Sequence, residues 1–185
     1  MKKSLIGAAL LILGVMAYMS KGKIVESVYK LSGFISGVSQ RLVERMAYAI
    51  MDWEDGVKDA QLTRGTIAGE NNNPGNMKYF GDLDRMPWNG FMGIDQYNHA
   101  VFNTPQDGWN ALIHQLNISF NGKSHNFNPQ MNLFDFFGKW AEDNSGSYAK
   151  SVASNLGVSP YQTLEAINKF YSEMEFHPPS NDIGV

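Results

Sequence analysis

The first apolar pattern along the chain is an uncharged run from Leu5 to Met19, with lysines on both sides of it. Such a run is typical of a membrane segment, although a complete span takes roughly 20 apolar residues. We predict that residues 1–22 form an N-terminal membrane anchor, which contacts lipid through residues 4–20. A cleaved signal peptide and a buried helix of the fold are the alternatives, and Ala17-Tyr18-Met19 fits a cleavage site poorly.

Beyond the anchor, apolar residues recur in steps of three and four from Ile24 to Trp53, which is the period of one helix face. This stripe predicts an amphipathic stalk helix over residues 23–47 that leads into the next domain. Gly33 and Gly37 interrupt it, and they either allow close packing against another helix or mark a flexible break.

The rest of the chain predicts one mainly helical domain over residues 48–176, of the α+β class, with a small β element in its middle. Residues 55–77 contain several glycines and show no helical period, so they are expected to form a loop. Short extended pieces are expected at residues 77–80 and 99–102. A Pro-containing tail follows at residues 177–185.

Capping signals predict where the helices of the second half begin. Threonine, asparagine or serine stands ahead of each apolar stretch, and such side chains accept hydrogen bonds from the first free backbone N–H groups of a helix. The predicted starts are Thr104 with Pro105, Asn132 ahead of residues 133–141, Ser147 ahead of a helix that Gly157 ends, and Ser159-Pro160.

Composition removes several classes of function. The net charge is -3 and there is no long Lys/Arg cluster, so nucleic acid is not an expected partner. The chain has no cysteine, which excludes a thiol nucleophile and zinc-finger spacing. Its four histidines show no metal-ligand spacing, and no serine stands in a GxSxG context. We therefore expect neither a metal nor another cofactor.

Glu54 is the first candidate for chemistry, because it directly follows the apolar stripe and lies just ahead of Gly56. A carboxyl that is partly shielded at a helix end has a raised pKa, since burial disfavours its charged form. Such a Glu can protonate the leaving oxygen of a sugar near neutral pH. From these residues alone, an ordinary solvated helix end formed by Asp52, Glu54 and Asp55 is the stronger interpretation.

A second candidate region is the Asn loop, residues 72–76, in which asparagines surround a Pro-Gly turn. Amide side chains in such a turn cap backbone groups and also bind polar ligands. The candidate substrate-binding amides are Asn72, Asn73 and Asn76. Aromatic residues in the loop-rich middle can stack on sugar faces, whereas aromatics at helical spacing are usually core. The candidate aromatics are Tyr79, Trp88 and Tyr97.

Read in order, these motifs resemble a family of phage and prophage lysozyme-like proteins, described as muramidases, lytic transglycosylases or virion structural proteins. The family's pattern is a helix ending in Glu-Gly, an Asn-Asn-Pro-Gly-Asn loop, a Trp-x-Gly turn, an Asp, an Ala-x-Phe strand and a Gly-Trp-x-Ala-Leu helix. The matching residues here are Glu54, Asn72-Asn73-Pro74-Gly75-Asn76, Trp88-Asn89-Gly90, Asp95, Ala100-Val101-Phe102 and Gly108-Trp109-Asn110-Ala111-Leu112. The resemblance covers residues 49–158.

The resemblance implies a lysozyme-like domain that cleaves the bond between N-acetylmuramic acid and N-acetylglucosamine in peptidoglycan, with Glu54 as the acid. In a hydrolase, Asp95 would be the second carboxylate. A lytic transglycosylase needs no second carboxylate, and we favour it because the sequence offers a single convincing acid. The expected partners are peptidoglycan glycan strands, a lipid membrane and other virion proteins.

Three settings for the chain stay open at this stage. The one we favour is a virion-associated enzyme, anchored in a viral membrane, that opens the host cell wall locally as the genome enters. A signal-anchored endolysin of the host inner membrane, released for lysis, is the second. The third is a non-catalytic, membrane-anchored virion protein that keeps the fold to bind the wall, because a fold does not guarantee its chemistry.

Overall fold

A computed structural model of the protein describes residues 37–55, 65–79, 88–141 and 143–176. These residues form a mainly helical domain with one two-stranded sheet, which confirms the predicted fold class at this level. In chain order the elements are α1 (Gln40–Asp55), α2 (Ile67–Glu70), β1 (Phe91–Ile94), β2 (Ala100–Phe102), α3 (Pro105–Phe120), α4 (Leu133–Trp140), α5 (Ser145–Leu156) and α6 (Leu164–Phe176).

The predicted anchor, most of the predicted stalk and the predicted tail at residues 177–185 lie outside the described residues. Within the described ranges, no helix is long and apolar enough to cross a membrane. The contact of residues 4–20 with lipid therefore stays a prediction.

Helix α1 belongs to the core of the domain and is not the end of a stalk. It packs against α3 and α5. Five of its side chains have no exposed surface: Leu42, Val43, Met46, Ala47 and Ile50. The described core begins at Val38 and so extends across the boundary predicted between residues 47 and 48. A helical stripe of apolar residues predicts that one helix face is buried, but it does not predict which other elements pack against that face.

The start of α1 is fixed by a cap and by contacts with α6. Gly37 has a φ of +69°, a left-handed conformation that does not continue a helix. The Ser39 hydroxyl accepts a hydrogen bond from the backbone N–H of Leu42 at 3.2 Å. The Asn168 side chain accepts from the Ser39 N–H and donates to the Gly37 carbonyl, at 2.8 and 2.9 Å. Of the two readings given to Gly37, the described residues support a break.

The two strands form an antiparallel hairpin in which Phe91 faces Phe102 and Ile94 faces Ala100. The extended piece predicted at residues 99–102 is confirmed as β2. Lys78, in the predicted 77–80 segment, forms an isolated bridge with His99 beside the hairpin. Strand β1 was not predicted, because it is short and contains a glycine at a register irregularity.

Two of the four predicted helix starts are confirmed. Thr104 accepts from the Asp107 N–H ahead of α3, and Asn132 accepts from the Asp135 N–H ahead of α4. Helix α4 ends at Trp140 and not at residue 141.

The starts of α5 and α6 were predicted wrongly. Helix α5 begins at Ser145, two residues before the predicted cap Ser147, and follows Asn144 in a left-handed conformation. Residues 159–162 form a turn, and α6 begins at Leu164, where the Thr163 hydroxyl accepts from the Ala166 N–H. Both segments are rich in Ser, Asn and Thr, so several residues compete as caps.

Candidate active site

Glu54 lies in the last turn of α1, and its side chain is partly buried. Because the apolar face of α1 packs into the core, this last turn lies against the domain and the Glu54 carboxyl is directed toward the Asn loop. The Asn76 amide Nδ2 donates a long hydrogen bond of 3.4 Å to Glu54 Oε2. Glu54 and Asn76, which are 22 positions apart in the sequence, are therefore in contact.

Burial raises the pKa of Glu54 above its ordinary value of 4.5. Interactions with the Tyr148 hydroxyl and the Asn76 amide, and the nearby His99 when it is charged, act in the opposite direction but do not cancel the effect of burial. A Glu with a raised pKa keeps its proton closer to neutral pH, which is the property of a general acid.

Tyr148, on α5, approaches the same carboxyl from inside the domain. The residue has no exposed surface, and burial together with the charge of Glu54 raises its pKa well above 10. The hydroxyl is close enough to Glu54 to affect its pKa, but no acceptor or donor in the described residues meets it at good hydrogen-bond geometry. We therefore describe it as a loose contact.

Two buried oxygen atoms beside Glu54 have no hydrogen-bond partner among the described residues: Tyr148 Oη and Asn76 Oδ1. Buried polar atoms are usually paired. A neutral, protonated Glu54 has an O–H that can donate to an acceptor, whereas the charged form can only accept. Hydrogen-bonding capacity beside Glu54 therefore remains unfilled among the described residues.

Asn73, which the sequence predicted to bind substrate, makes its hydrogen bonds inside the protein. Its side chain has no exposed surface. It donates to the carbonyls of Met77 and Ala100 at 3.0 and 2.9 Å and accepts from the Met77 N–H at 3.0 Å. All of this bonding closes the Asn loop on itself and ties it to β2. Its role in the structure is therefore that of an internal brace.

Asn72 also has structural bonds, although its side chain is partly exposed. It donates to the carbonyl of Phe102 at 2.9 Å. Both Asn72 and Asn76 have positive φ angles, 51° and 45°, a conformation that Asn tolerates better than most residues. A Cβ on Gly108 would collide with the Asn72 carbonyl, so the start of α3 needs glycine there to approach the loop.

Asp95 closes the turn of the β hairpin. Its two oxygens accept four hydrogen bonds: from the backbone N–H groups of Tyr97 and His99 at 2.8 Å each, from Asn71 Nδ2 at 2.8 Å, and from His99 Nδ1 at 3.1 Å. Burial would raise the pKa of Asp95, but these bonds outweigh it and lower the pKa to about 2. Asp95 is thus an ionised carboxylate that is fully engaged within the protein.

The three candidate aromatics of the middle region have different positions. Trp88, predicted as a sugar-stacking residue, is buried in this structure, and its ring packs against Phe91 and Phe102. Tyr79 is partly buried, and its ring contacts that of Phe91 at 5.8 Å. Tyr97 is 55% exposed at the tip of the hairpin.

Three side chains of the site were not singled out in the sequence: Trp53, Asn71 and Tyr148. Tyr148 and Trp53 fit helical stripes, and aromatics at that spacing are usually core. Only the packing of α5 against α1 brings Tyr148 to Glu54. Asn71 could have been found, because it directly precedes the Asn loop, but its partner Asp95 is distant in the chain.

In the part of the chain that the structure describes, no group of three or more His, Asp and Glu side chains is arranged to hold a metal ion. No family model, curated protein or solved structure gives a significant match to this chain.

Proposed function

We propose that the chain is a peptidoglycan-cleaving enzyme that breaks the bond between N-acetylmuramic acid and N-acetylglucosamine as a lytic transglycosylase. The observation that carries the proposal is the state of Glu54, a partly buried carboxyl with a raised pKa in contact with the Asn loop. The lysozyme-like fold is part of the proposal. A Glu at the end of a core helix, facing a small hairpin and followed by a helical second half, supports it.

In the proposed reaction, protonated Glu54 donates its proton to the glycosidic oxygen as the bond from that oxygen to C1 of the muramic acid breaks. The electron pair of the bond leaves with the oxygen, and C1 acquires oxocarbenium character. The Glu54 carboxylate then takes the proton of the 6-hydroxyl, and O6 bonds to C1. The product is a 1,6-anhydro ring, and no water is consumed.

The environment of Asp95 favours this course over hydrolysis through a second carboxylate. A base or nucleophile needs an oxygen lone pair that is free to meet water or C1. Both Asp95 oxygens already accept two hydrogen bonds each, and its low pKa makes it a weak base. Glu54 therefore acts alone, first as acid and then as base.

The setting that we propose is a virion-associated enzyme that stays tethered to a membrane and opens the host wall locally as the genome enters. This part rests on the sequence of residues 4–20, which lie outside the described residues. It predicts that the mature protein retains residues 1–20, which intact-mass spectrometry of the virion protein measures directly.

The test of the enzyme is the digestion of purified Gram-negative sacculi by the full-length chain in mild detergent. Wild type is compared with Glu54→Gln, which keeps the shape of the side chain but removes the acid. Glu44→Gln is the matched control, since Glu44 is an exposed carboxylate on the same helix. Mass spectrometry of the released muropeptides should show 1,6-anhydro ends from wild type and from Glu44→Gln, and none from Glu54→Gln.

The other outcomes of this assay discriminate between the alternatives. Reducing ends in place of anhydro ends would mean a hydrolase, in which a water molecule is activated by another group. No release by any of the three proteins would overturn the enzyme and favour the non-catalytic, wall-binding virion protein.

A further inference from the structure

Trp53 forms the outer end of a column of three aromatic rings beside Glu54. Its ring stacks on Tyr148 with a centroid distance of 5.0 Å and an interplanar angle of 19°, and Tyr148 stacks on Phe137 at 4.2 Å and 26°. Tyr148 and Phe137 have no exposed surface, whereas Trp53 is 38% exposed. The ring column therefore runs from the core to the surface and ends next to the candidate acid.

This arrangement fixes the exposed indole in a way that other exposed rings of the described residues do not share. Tyr48, Tyr97 and Tyr161 meet their neighbours at tilted angles of 44°, 57° and 52°. Trp53 lies nearly parallel to a fully buried ring, so its orientation is set by the core. A surface that is already ordered loses less entropy when it binds a ligand.

The charge around Trp53 selects among ligands that have a flat apolar face. Asp52 is exposed next to it, Glu54 follows it, and α1 has no basic residue in its last turn. The C-terminal end of a helix also carries a partial negative charge. An anionic ligand is therefore disfavoured at this position. A neutral pyranose ring, with C–H groups on one face and polar groups at its edge, suits the indole and its surroundings.

We propose that the outer face of Trp53 is a stacking subsite for a neutral N-acetylhexosamine ring of the glycan, adjoining Glu54; this inference rests on the proposed function. A ring held there would bring the neighbouring glycosidic bond toward the carboxyl. Trp53 is a binding residue in this proposal and takes no part in proton transfer.

The test is a binding measurement that does not depend on turnover. The full-length Glu54→Gln protein is titrated with a hexamer of N-acetylglucosamine by isothermal titration calorimetry, alone and with one further substitution. Trp53→Ala should weaken the affinity roughly tenfold or more, as expected when a Trp anchor is removed. Trp53→Tyr keeps an aromatic face and should stay within about threefold of the parent.

Two further variants separate binding from folding. Tyr161→Ala removes a ring that is 74% exposed on the turn before α6, and it should leave the affinity unchanged. Trp53→Leu keeps an apolar cover over Tyr148 without an aromatic face. A Trp53→Leu protein with a native near-ultraviolet circular dichroism spectrum and weakened binding would support stacking, even where Trp53→Ala fails to fold.

The outcomes that overturn the subsite are an unchanged affinity in folded Trp53→Leu or Trp53→Ala, or no binding of the hexamer by the parent. Tighter binding of the deacetylated, cationic hexamer would overturn the assignment of a neutral ring. Failure of the proposed function is seen separately, in the sacculus assay. If the hexamer binds in a Trp53-dependent way but wild type does not cleave sacculi, the subsite is retained and the proposed enzymatic function is rejected. If wild type cleaves sacculi but substitution of Trp53 does not change the affinity for the hexamer, only the subsite is rejected.

Discussion

The end of α1 and the turn of the β hairpin each hold a carboxylate, and the two carboxylates have opposite surroundings. Asp95 accepts four hydrogen bonds, and they lower its pKa to about 2. Glu54 receives one long hydrogen bond, lies beside two buried oxygens without partners, and has a raised pKa. A carboxylate that serves the fold has its hydrogen-bonding capacity filled, whereas one that is available for chemistry keeps some of it open.

The groups that surround the two carboxylates also come from different parts of the chain. Three of the four donors to Asp95 come from Tyr97 and His99, within the same short turn. The surroundings of Glu54 come from α1, α5 and the Asn loop, which only the tertiary fold brings together. Donors from one short turn can occupy all the hydrogen-bond acceptor sites of a carboxylate. A carboxyl that is buried and still has unfilled acceptor sites requires side chains from several elements of the fold.

The largest expected effect is on catalysis, and it separates the two carboxylates directly. Glu54→Gln should lower the initial rate of anhydro-muropeptide release by about 10²–10⁴-fold, because general acid catalysis is lost. Asp95→Asn should keep the rate within about tenfold of wild type, because protein groups already donate two hydrogen bonds to each Asp95 oxygen. Initial rates on sacculi at one pH, with the folded fraction of each protein measured by circular dichroism, give the comparison. A folded Asp95→Asn protein as inactive as Glu54→Gln would make Asp95 a reacting group.

The second effect concerns stability and uses two asparagines of the Asn loop. Asn73→Ala should lower the free energy of unfolding by roughly 2–4 kcal/mol, since it leaves buried backbone groups without their partners. Asn76→Gly, which adopts the positive φ of this position without strain, removes one long bond from a partly exposed side chain and should cost less than about 1 kcal/mol. Urea unfolding measures both. Equal losses would contradict the division of the loop into a brace and a site residue.

Sequence patterns predicted what depends on neighbouring residues. The caps at Thr104 and Asn132 were found because a cap and its first turn are adjacent in the chain. Glu54 and the Asn loop were found from their motifs as two separate candidates, and the contact between them is visible only in the fold. The roles of Asn73 and Asn76 could not be told apart from the sequence, because they differ in burial. The Asn73 side chain lies inside the domain, whereas the Asn76 side chain contacts Glu54.

Sequence patterns did not predict the position of a side chain where that position depends on tertiary contacts. Trp88 stands in a loop-rich stretch that suggested an exposed ring, but the hairpin folds over it. Tyr148 and Trp53 fitted apolar stripes, and nothing local shows that one approaches Glu54 and the other faces solvent. The stripe of α1 was divided into stalk and domain, because periodicity does not identify the surface that covers it.

The third effect is the loss of folding stability at low pH, and it concerns Asp95. Its folded pKa of about 2 lies below the ordinary 3.8. The stabilisation is therefore complete above about pH 4 and is lost as the pH falls toward 2. Asp95→Asn lacks this titration, so the stability gap between wild type and the variant should shrink over the same range. Urea unfolding between pH 5 and pH 2.5 measures it, and a constant gap would show that the four bonds do not stabilise the charged form.

The smallest effect is the reverse dependence at Glu54. Its folded pKa is raised above 4.5, so the native state binds more protons than the unfolded chain above that pH. Wild type should therefore lose stability as the pH rises from 4.5 through the folded pKa, and Glu54→Gln should not. The variant should melt at the same temperature as wild type near pH 4 and at a higher temperature near pH 7. Thermal melts of the two proteins across this range provide the measurement.

Glu44→Gln is the control for this last comparison, because Glu44 is exposed on the same helix and its substitution should leave the pH dependence of melting unchanged. If Glu54→Gln melts below wild type at pH 7, the charged form of Glu54 stabilises the fold. The two carboxylates would then differ only in degree, and the argument for Glu54 as an acid near neutral pH would lose its basis.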